Sequence, residues 1–202
     1  MYIARILYPV KTLGPGERLG IWFCGCEHHC KGCSNPELWE QPESSKITTQ
    51  SLMKVINRLA GEYSIDGFTL SGGDPFYQPD ALRELLPELN KISSDVLIYT
   101  GYLYNELLRK YSGLLKQIAV LIDGPYIEAL NSGEALRGSS NQNIIFLRRE
   151  FQYLYDDYCK DWRNHVQNFT TSTGVASVGI HRPGYHQELQ AQLKKRGLTT
   201  WR

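Results

Sequence analysis

The sequence predicts an α/β fold built on a parallel sheet with right-handed crossovers. From residue 19 to residue 147, apolar runs and helical patterns alternate in the order strand, loop, helix, which is typical of such sheets. Four loops rich in cysteine, glycine or aspartate directly follow predicted strands. Because the carboxyl ends of parallel strands meet at one edge of a sheet, these loops are expected to gather where ligands bind in α/β folds.

The predicted elements follow one another with short connections. Glycine and proline predict a turn over residues 13–18. Short apolar runs predict strands over residues 19–24, 65–70, 95–100, 118–122 and 144–147. Helical spacing of apolar residues predicts helices from Thr48 or Thr49 to Glu62, from Pro79 to Leu89, and around 104–111. Pro87 is expected to kink or break the second of these helices.

The last fifty residues differ in character from this alternation. Residues 151–169 are rich in aromatic side chains and fit either a helix or extended chain. A turn over 170–174, a strand over 175–180 and a helix from Tyr185 to Arg196, with Gly197 as its stop, follow. No low-complexity linker intervenes, so we expect a core of residues 1–149 and an extension of residues 150–202 packed on it.

Composition restricts the possible partners. The chain has 202 residues, is 42% hydrophobic and 21% charged, and carries a formal net charge of +1. That charge gives no electrostatic reason to expect nucleic acid or an anionic membrane as partner. No signal peptide and no apolar stretch near the roughly 20 residues of a membrane span are found. We therefore expect a cytoplasmic protein, whose clustered cysteines indicate metal or redox chemistry rather than disulfides.

The first of the four loops holds four of the five cysteines, in the stretch from Cys24 to Cys33. Four thiolates suit a closed zinc site. Three thiolates, in the spacing Cys26-x-x-x-Cys30-x-x-Cys33, suit a four-iron cluster with one iron left open.

The cysteine spacing resembles the cluster motif of the radical S-adenosylmethionine (SAM) superfamily. The string from Gly25 to Asn35, with Trp39 after it, more closely resembles the activating proteins of anaerobic ribonucleotide reductases. The later strand-end loops and one polar loop resemble that family in the same order: Leu70–Pro75, Thr100–Tyr102, Asp123–Gly124 and Arg137–Gln142. The resemblance covers roughly residues 6–147.

This resemblance implies a partial, open TIM-like barrel of parallel strands with outer helices. It implies a [4Fe-4S] cluster on Cys26, Cys30 and Cys33, with SAM bound at the open iron. The implied reaction is reductive cleavage of SAM, whose 5′-deoxyadenosyl radical takes a hydrogen atom from a glycine of a large glycyl-radical reductase. An external one-electron donor such as a flavodoxin or ferredoxin is implied as well. The implied SAM-binding residues are Gly32, Ser34, Ser71, Gly72, Gly73, Asp74, Pro75, Thr100, Tyr102 and Asp123.

Glycines at 72 and 73 allow the backbone close to a ligand and expose N–H and C=O groups to the amino-acid end of SAM. His28 and His29 are interpreted as spacers that shape the loop, and Cys24 as a free thiol. Ser34 departs from the family pattern, which commonly has an aromatic residue there. Two alternatives stay open: a radical SAM enzyme with another substrate, and a zinc-stabilised binding module without catalysis.

Overall fold

A computed structural model describes residues 1–160, 166–171 and 174–195. The α/β class is confirmed, with a central sheet of mostly parallel strands and helices packed on it. Within the described residues the strands are β1 Ile3–Val10, β2 Arg18–Phe23, β3 Gly67–Gly72, β4 Val96–Tyr99, β5 Val120–Asp123, β6 Asn143–Phe146, β7 Gln167–Thr171 and β8 Gly174–Val178. The α-helices described are α1 Thr49–Glu62, α2 Pro79–Asn90, α3 Tyr104–Leu115, α4 Gln152–Lys160 and α5 Tyr185–Lys195.

Strands β1 to β6 form one sheet in sequence order, and β7 pairs with β8 in a separate hairpin. The four central strands β2 to β5 run parallel, as the alternation predicted. In the described residues β1 and β6 stand at opposite ends of the order without pairing to each other, so the sheet is open. This agrees with a partial barrel.

The two outer strands are antiparallel to their neighbours. The sequence analysis did not predict β1, and it expected β6 to be parallel. A parallel connection needs a crossover of a dozen or more residues, usually a helix. The segment between β5 and β6 contains only the short 3-10 turn Glu128–Leu130, so β6 returns beside β5 in the opposite direction.

Helices α1, α2 and α3 cover one face of the sheet. Alternate strand residues, among them Ile21, Phe23 and Leu70, are fully buried against leucines and isoleucines of these helices. Helix α2 continues through Pro87 rather than ending there, because all four leucines on its inner side are buried. Helix α3 extends beyond the predicted end at Tyr111, where the backbone leaves helical values.

The opposite face of the sheet packs against the extension. Tyr155 of α4 is fully buried in a cluster that includes Leu97 and Val120, and Val178 of β8 lies in a cluster with Trp22. The aromatic segment contains both predicted alternatives, the helix α4 and, further on, β7. Helix α5 begins at Tyr185 as predicted, whereas Arg196 and its expected stop Gly197 lie outside the described residues.

A buried ion pair fixes the amino-terminal end of the strands. Arg18, which starts β2, is fully buried and lies 2.6 Å from Asp95, which precedes β4. Its guanidinium also donates to Thr69 Oγ1 at 2.7 Å and to the Phe68 carbonyl at 2.7 Å. Tyr155 completes the group, since its hydroxyl donates to Asp95 Oδ1 at 2.7 Å. Burial raises the pKa of Tyr155 well above its usual value, so the phenol keeps the donated proton.

None of the helices in the described ranges has the length and apolar character that crossing a lipid bilayer requires.

The Tyr155 hydroxyl is expected to stabilise the docking of α4. Tyr155→Phe should lower the free energy of unfolding by about 1 kcal/mol, because Asp95 loses a buried hydrogen-bond donor. Equilibrium unfolding in urea measures this. Tyr153→Phe is the matched control, since Tyr153 lies on the same helix but is 64% exposed. Equal stability of the two variants would contradict this role of the hydroxyl.

Candidate active site

The cysteine loop leaves the carboxyl end of β2 and is fixed at its base by backbone hydrogen bonds. Gly25 N–H donates to the Leu38 carbonyl at 2.8 Å, and Cys26 N–H donates to the Trp39 carbonyl at 2.9 Å. Cys33 N–H donates to the Cys30 carbonyl at 3.1 Å and closes a turn within the loop. The two ends of the loop therefore lie side by side.

Three of its thiols fit an iron–sulfur cluster. Cys26, Cys30 and Cys33 are each partly buried, and N–H groups point at two of the sulfurs. The N–H groups of His28 and His29 hydrogen-bond to the Cys26 sulfur, and Asn35 N–H lies 3.4 Å from the Cys33 sulfur. Burial raises the pKa of the Cys26 thiol to about 11, although these hydrogen bonds act to lower it. Cationic iron would hold such thiols as thiolates. Hydrogen bonds to the sulfurs would adjust the reduction potential of the cluster.

Cys24 has a different environment from the other three cysteines of the loop. It is 2% exposed and lies in an apolar cluster with Trp22, Leu38 and Ile180. In the described ranges, no three or more His, Cys, Asp or Glu side chains converge on a point that would hold one metal ion. A four-iron cluster does not need ligands that converge on one point, because each cysteine binds a separate iron.

The Asp74 carboxylate joins the loop after β3 to the loop after β4. Asp74 is 1% exposed, and its oxygens accept the Phe76 N–H at 2.9 Å and the Gly101 N–H at 2.8 Å. The Thr100 hydroxyl lies 3.0 Å from both oxygens. The sequence-predicted residues Asp74 and Thr100 are thus in direct contact, and both serve to hold the strand-end loops together.

His28 brings the cysteine loop into the same group. Its Nε2 lies 3.2 Å from Asp74 Oδ2, a distance typical of an ion pair, although the angle is not that of a hydrogen bond. This contact raises the pKa of His28, while burial opposes the rise. His28 is therefore more than the spacer that the sequence predicted, because it ties the cysteine loop to Asp74.

The predicted Tyr102 also contacts the cysteine loop. Its hydroxyl donates to Glu27 Oε1 at 2.6 Å, and its ring meets the His28 ring edge-on with centroids 4.6 Å apart. Burial, followed by the Glu27 contact, raises the pKa of Tyr102. Tyr102 thus holds the loop after β4 against the cysteine loop.

The predicted glycines 72 and 73 lie where backbones meet at close range. Gly73 N–H donates to the Phe23 carbonyl and Asp74 N–H to the Gly25 carbonyl, each at 2.8 Å. A Cβ on Gly73 would come 2.3 Å from the Gly25 carbonyl oxygen. Gly72 has a φ of 112°, which favours glycine. The N–H of Gly73 therefore already has a partner within the protein.

The remaining predicted residues are placed as follows. Ser71 lies opposite Trp22 near the end of β3, and Pro75 is buried at the start of the turn Pro75–Tyr77. Gly32 and Ser34 are exposed on the cysteine loop. Asp123 is 3% exposed and accepts hydrogen bonds from Tyr104 N–H at 2.8 Å and Asn143 Nδ2 at 2.8 Å. Asp123 thus caps α3 and joins β5 to β6.

The polar loop from Arg137 to Gln142 is ordered by Gln142. The side-chain oxygen of Gln142 accepts the Gly138 N–H at 2.8 Å, and its Nε2 donates to the Gly124 carbonyl at 2.8 Å. Asn141 donates to the Pro125 carbonyl at 2.8 Å. The loop packs in this way on the segment that leaves β5.

Sequence reasoning missed Gln78 and Gly101. Gln78 Nε2 donates to the Cys24 carbonyl at 2.8 Å and to the Tyr2 carbonyl at 3.0 Å, which anchors the loop base to the residue before β1. A Cβ on Gly101 would lie 2.4 Å from the His28 ring. The glycine between Thr100 and Tyr102 was a visible signal, whereas nothing in the local pattern marks Gln78.

Comparison with known proteins gives one matching family model and several similar curated proteins. The model of the 4Fe-4S single cluster domain matches residues 12–145. A protein of Enterobacteria phage T4 is 32% identical over 144 residues, covering 68% of this chain and 90% of the phage protein. A Vibrio cholerae serotype O1 protein is 35% identical, covering 68% and 93%, and an Escherichia coli K12 protein is 33% identical, covering 70% and 96%. All three are named anaerobic ribonucleoside-triphosphate reductase-activating protein.

Replacing Asp74 should loosen the strand-end loops. Asp74→Asn presents an N–H to at least one of the donors that now face a carboxylate oxygen, leaving buried groups unpaired. We expect the cluster-free protein to lose about 2 kcal/mol of unfolding free energy in urea. Asp80→Asn is the control, because Asp80 is exposed on α2. If both variants were as stable as the unaltered chain, the Asp74 contacts would not hold the loops.

Proposed function

The chain belongs to the family of anaerobic ribonucleoside-triphosphate reductase-activating proteins and carries its 4Fe-4S single cluster domain, and from this premise we propose that it activates an anaerobic ribonucleotide reductase. The activity is reductive cleavage of SAM coupled to formation of a glycyl radical on the reductase. One observation carries the proposal. The cysteine loop is tied to the loops after β3 and β4 through Asp74, so cluster ligands and the candidate SAM-binding loops share one edge.

The residues of the chain have distinct roles in this proposal. Cys26, Cys30 and Cys33 hold the cluster, each through one iron, and Cys24 is not a ligand. When bound, the reduced cluster supplies one electron to SAM at the iron without a protein ligand. The protein orients the cofactor and excludes water from it. Asp74, Thr100 and Tyr102 position the loops around it rather than taking part in bond breaking.

The surroundings of the site have roles of their own. We assign SAM contacts to the segment Ser71–Pro75. Gly32, Ser34 and Asp123 are further SAM-binding residues in this proposal. The electron comes from an external donor of the flavodoxin or ferredoxin class, in a cytoplasm that keeps thiols reduced. The chain divides into a core of residues 1–149 and an extension of residues 150–202; a family match that ends at residue 145 supports this division.

Cysteine variants test the ligand assignment. Cys30→Ala should abolish the brown absorbance of the anaerobically reconstituted protein and the release of 5′-deoxyadenosine, because one iron loses its only protein ligand. Cys24→Ala is the matched control and should keep iron, sulfide and SAM cleavage near those of the unaltered chain. If Cys24→Ala lost the cluster, a four-cysteine site would replace the three-cysteine one. A colourless protein with zinc and no iron would favour the zinc-stabilised binding module.

The reductase activity is tested by incubating the reduced, reconstituted protein with SAM and a purified anaerobic ribonucleotide reductase. We expect 5′-deoxyadenosine together with a glycyl radical signal in electron paramagnetic resonance. The signal should disappear when the radical-bearing glycine of the reductase is replaced by alanine. SAM cleavage without any radical on the reductase would indicate a radical SAM enzyme with another substrate.

A further inference from the structure

The segment Val178–His181, here called the strap, lies beyond the stretch that matches the family model. That stretch ends at residue 145. The strap therefore belongs to the extension that follows the matched domain. It begins at Val178, the last residue of β8, and lies on the face of the sheet opposite α1, α2 and α3.

One end of the strap is fixed beside the base of the cysteine loop. The Thr12 hydroxyl, which is buried, donates to the Val178 carbonyl at 3.0 Å. Ile180 is 8% exposed and lies in one apolar cluster with Cys24 and Leu38. Leu38 in turn accepts the hydrogen bond from Gly25 that closes the loop base.

The other end of the strap is fixed to the segment that leaves β5. Asn131 Nδ2 donates to the His181 carbonyl at 2.9 Å. Asn131 directly follows the turn Glu128–Leu130, which lies close to the cysteine loop. Glu128 is 4.0 Å from Lys31, and a Cβ on Gly32 would lie 2.8 Å from the Glu128 carboxylate.

The strap thus joins the base of the cysteine loop to the segment that leaves β5, and it does so on the face of the sheet opposite α1, α2 and α3. We propose that the strap is a wall of the candidate active site that determines which substrates reach it. A substrate segment has to enter from the carboxyl edge of the strands, as the tip of a protein loop. It does not lie across the face of the sheet. This inference rests on the proposed function for its substrate and on the contacts above for the wall.

Two isosteric variants release the strap from opposite ends. Asn131→Asp replaces the donor to the His181 carbonyl with an oxygen, while Oδ1 still accepts the Gly133 N–H. Thr12→Val removes the donor to the Val178 carbonyl and keeps the side-chain shape. Asn168→Asp is the control for the added charge, because Asn168 is exposed on β7.

Cys24 reports the position of the strap without any activity measurement. In cluster-loaded protein carrying Cys159→Ala, Cys24 is the one thiol not assigned as a ligand, and it is packed in the cluster of Ile180. Its reaction with a maleimide should be about three- to tenfold faster in each release variant, in line with the loss of one hydrogen bond. Asn168→Asp should leave the rate unchanged. Equal labelling rates in all variants would contradict the proposal that the strap forms a wall of the site.

Specificity is measured as the ratio of 5′-deoxyadenosine released to glycyl radical formed on the reductase. The release variants should raise this ratio about threefold or more, because groups other than the intended glycine reach the site. Faster Cys24 labelling with an unchanged ratio would make the strap a cover only and overturn its role in specificity. If the unaltered protein released no 5′-deoxyadenosine, the proposed function would fail, while Cys24 labelling would still decide whether the wall exists.

Discussion

The buried carboxylate of Asp74 is the interaction on which the arrangement of the candidate active site depends. Burying a carboxylate is unfavourable unless donors surround it. Here the donors come from separate loops: Phe76 from its own loop and Thr100 with Gly101 from the next, while His28 of the cysteine loop lies within ion-pair distance. Since none of these loops can move without leaving Asp74 short of a partner, their positions are coupled, and the cysteine loop is held relative to the ends of β3 and β4.

A second buried carboxylate has the corresponding role at the opposite edge of the sheet. Asp95 pairs with Arg18 before β4 begins, and Tyr155 of the extension donates to it. Arg18 also binds groups of β3, so one guanidinium fixes the starts of three adjacent strands. Removing either partner would leave an unpaired buried charge, which is far more costly than an exposed ion pair is stabilising. The extension is therefore tied to the starts of the strands through Tyr155 and, near their ends, through the strap.

The local parts of this design could be predicted from sequence, and the long-range parts could not. The cysteine spacing and the glycine-rich strand ends lie within short windows, as do the apolar periods of α1 and α2, so their existence followed from the sequence. Strand direction is not encoded in an apolar run, which is why β6 was expected to be parallel. The pairing of Arg18 with Asp95 spans 77 positions, and that of Thr100 with Asp74 spans 26. An arginine after a turn and an aspartate before a strand carry no local mark of such partners.

The glycines of the site lie where loops of the protein contact one another. Sequence reasoning attributed Gly72 and Gly73 to close approach of a ligand, yet any side chain at Gly73 would collide with the cysteine loop, and one at Gly101 with His28. These glycines are required by contacts between loops before a ligand binds. Backbone groups already paired across the loops, such as Gly73 N–H with Phe23 and Asp74 N–H with Gly25, do not have to be ordered on binding. Ordering loops and side chains lowers affinity by its entropy cost, so a site packed in advance retains more of its contact energy as affinity. The same packing explains why sequence positions that look like ligand contacts are occupied first by the protein itself.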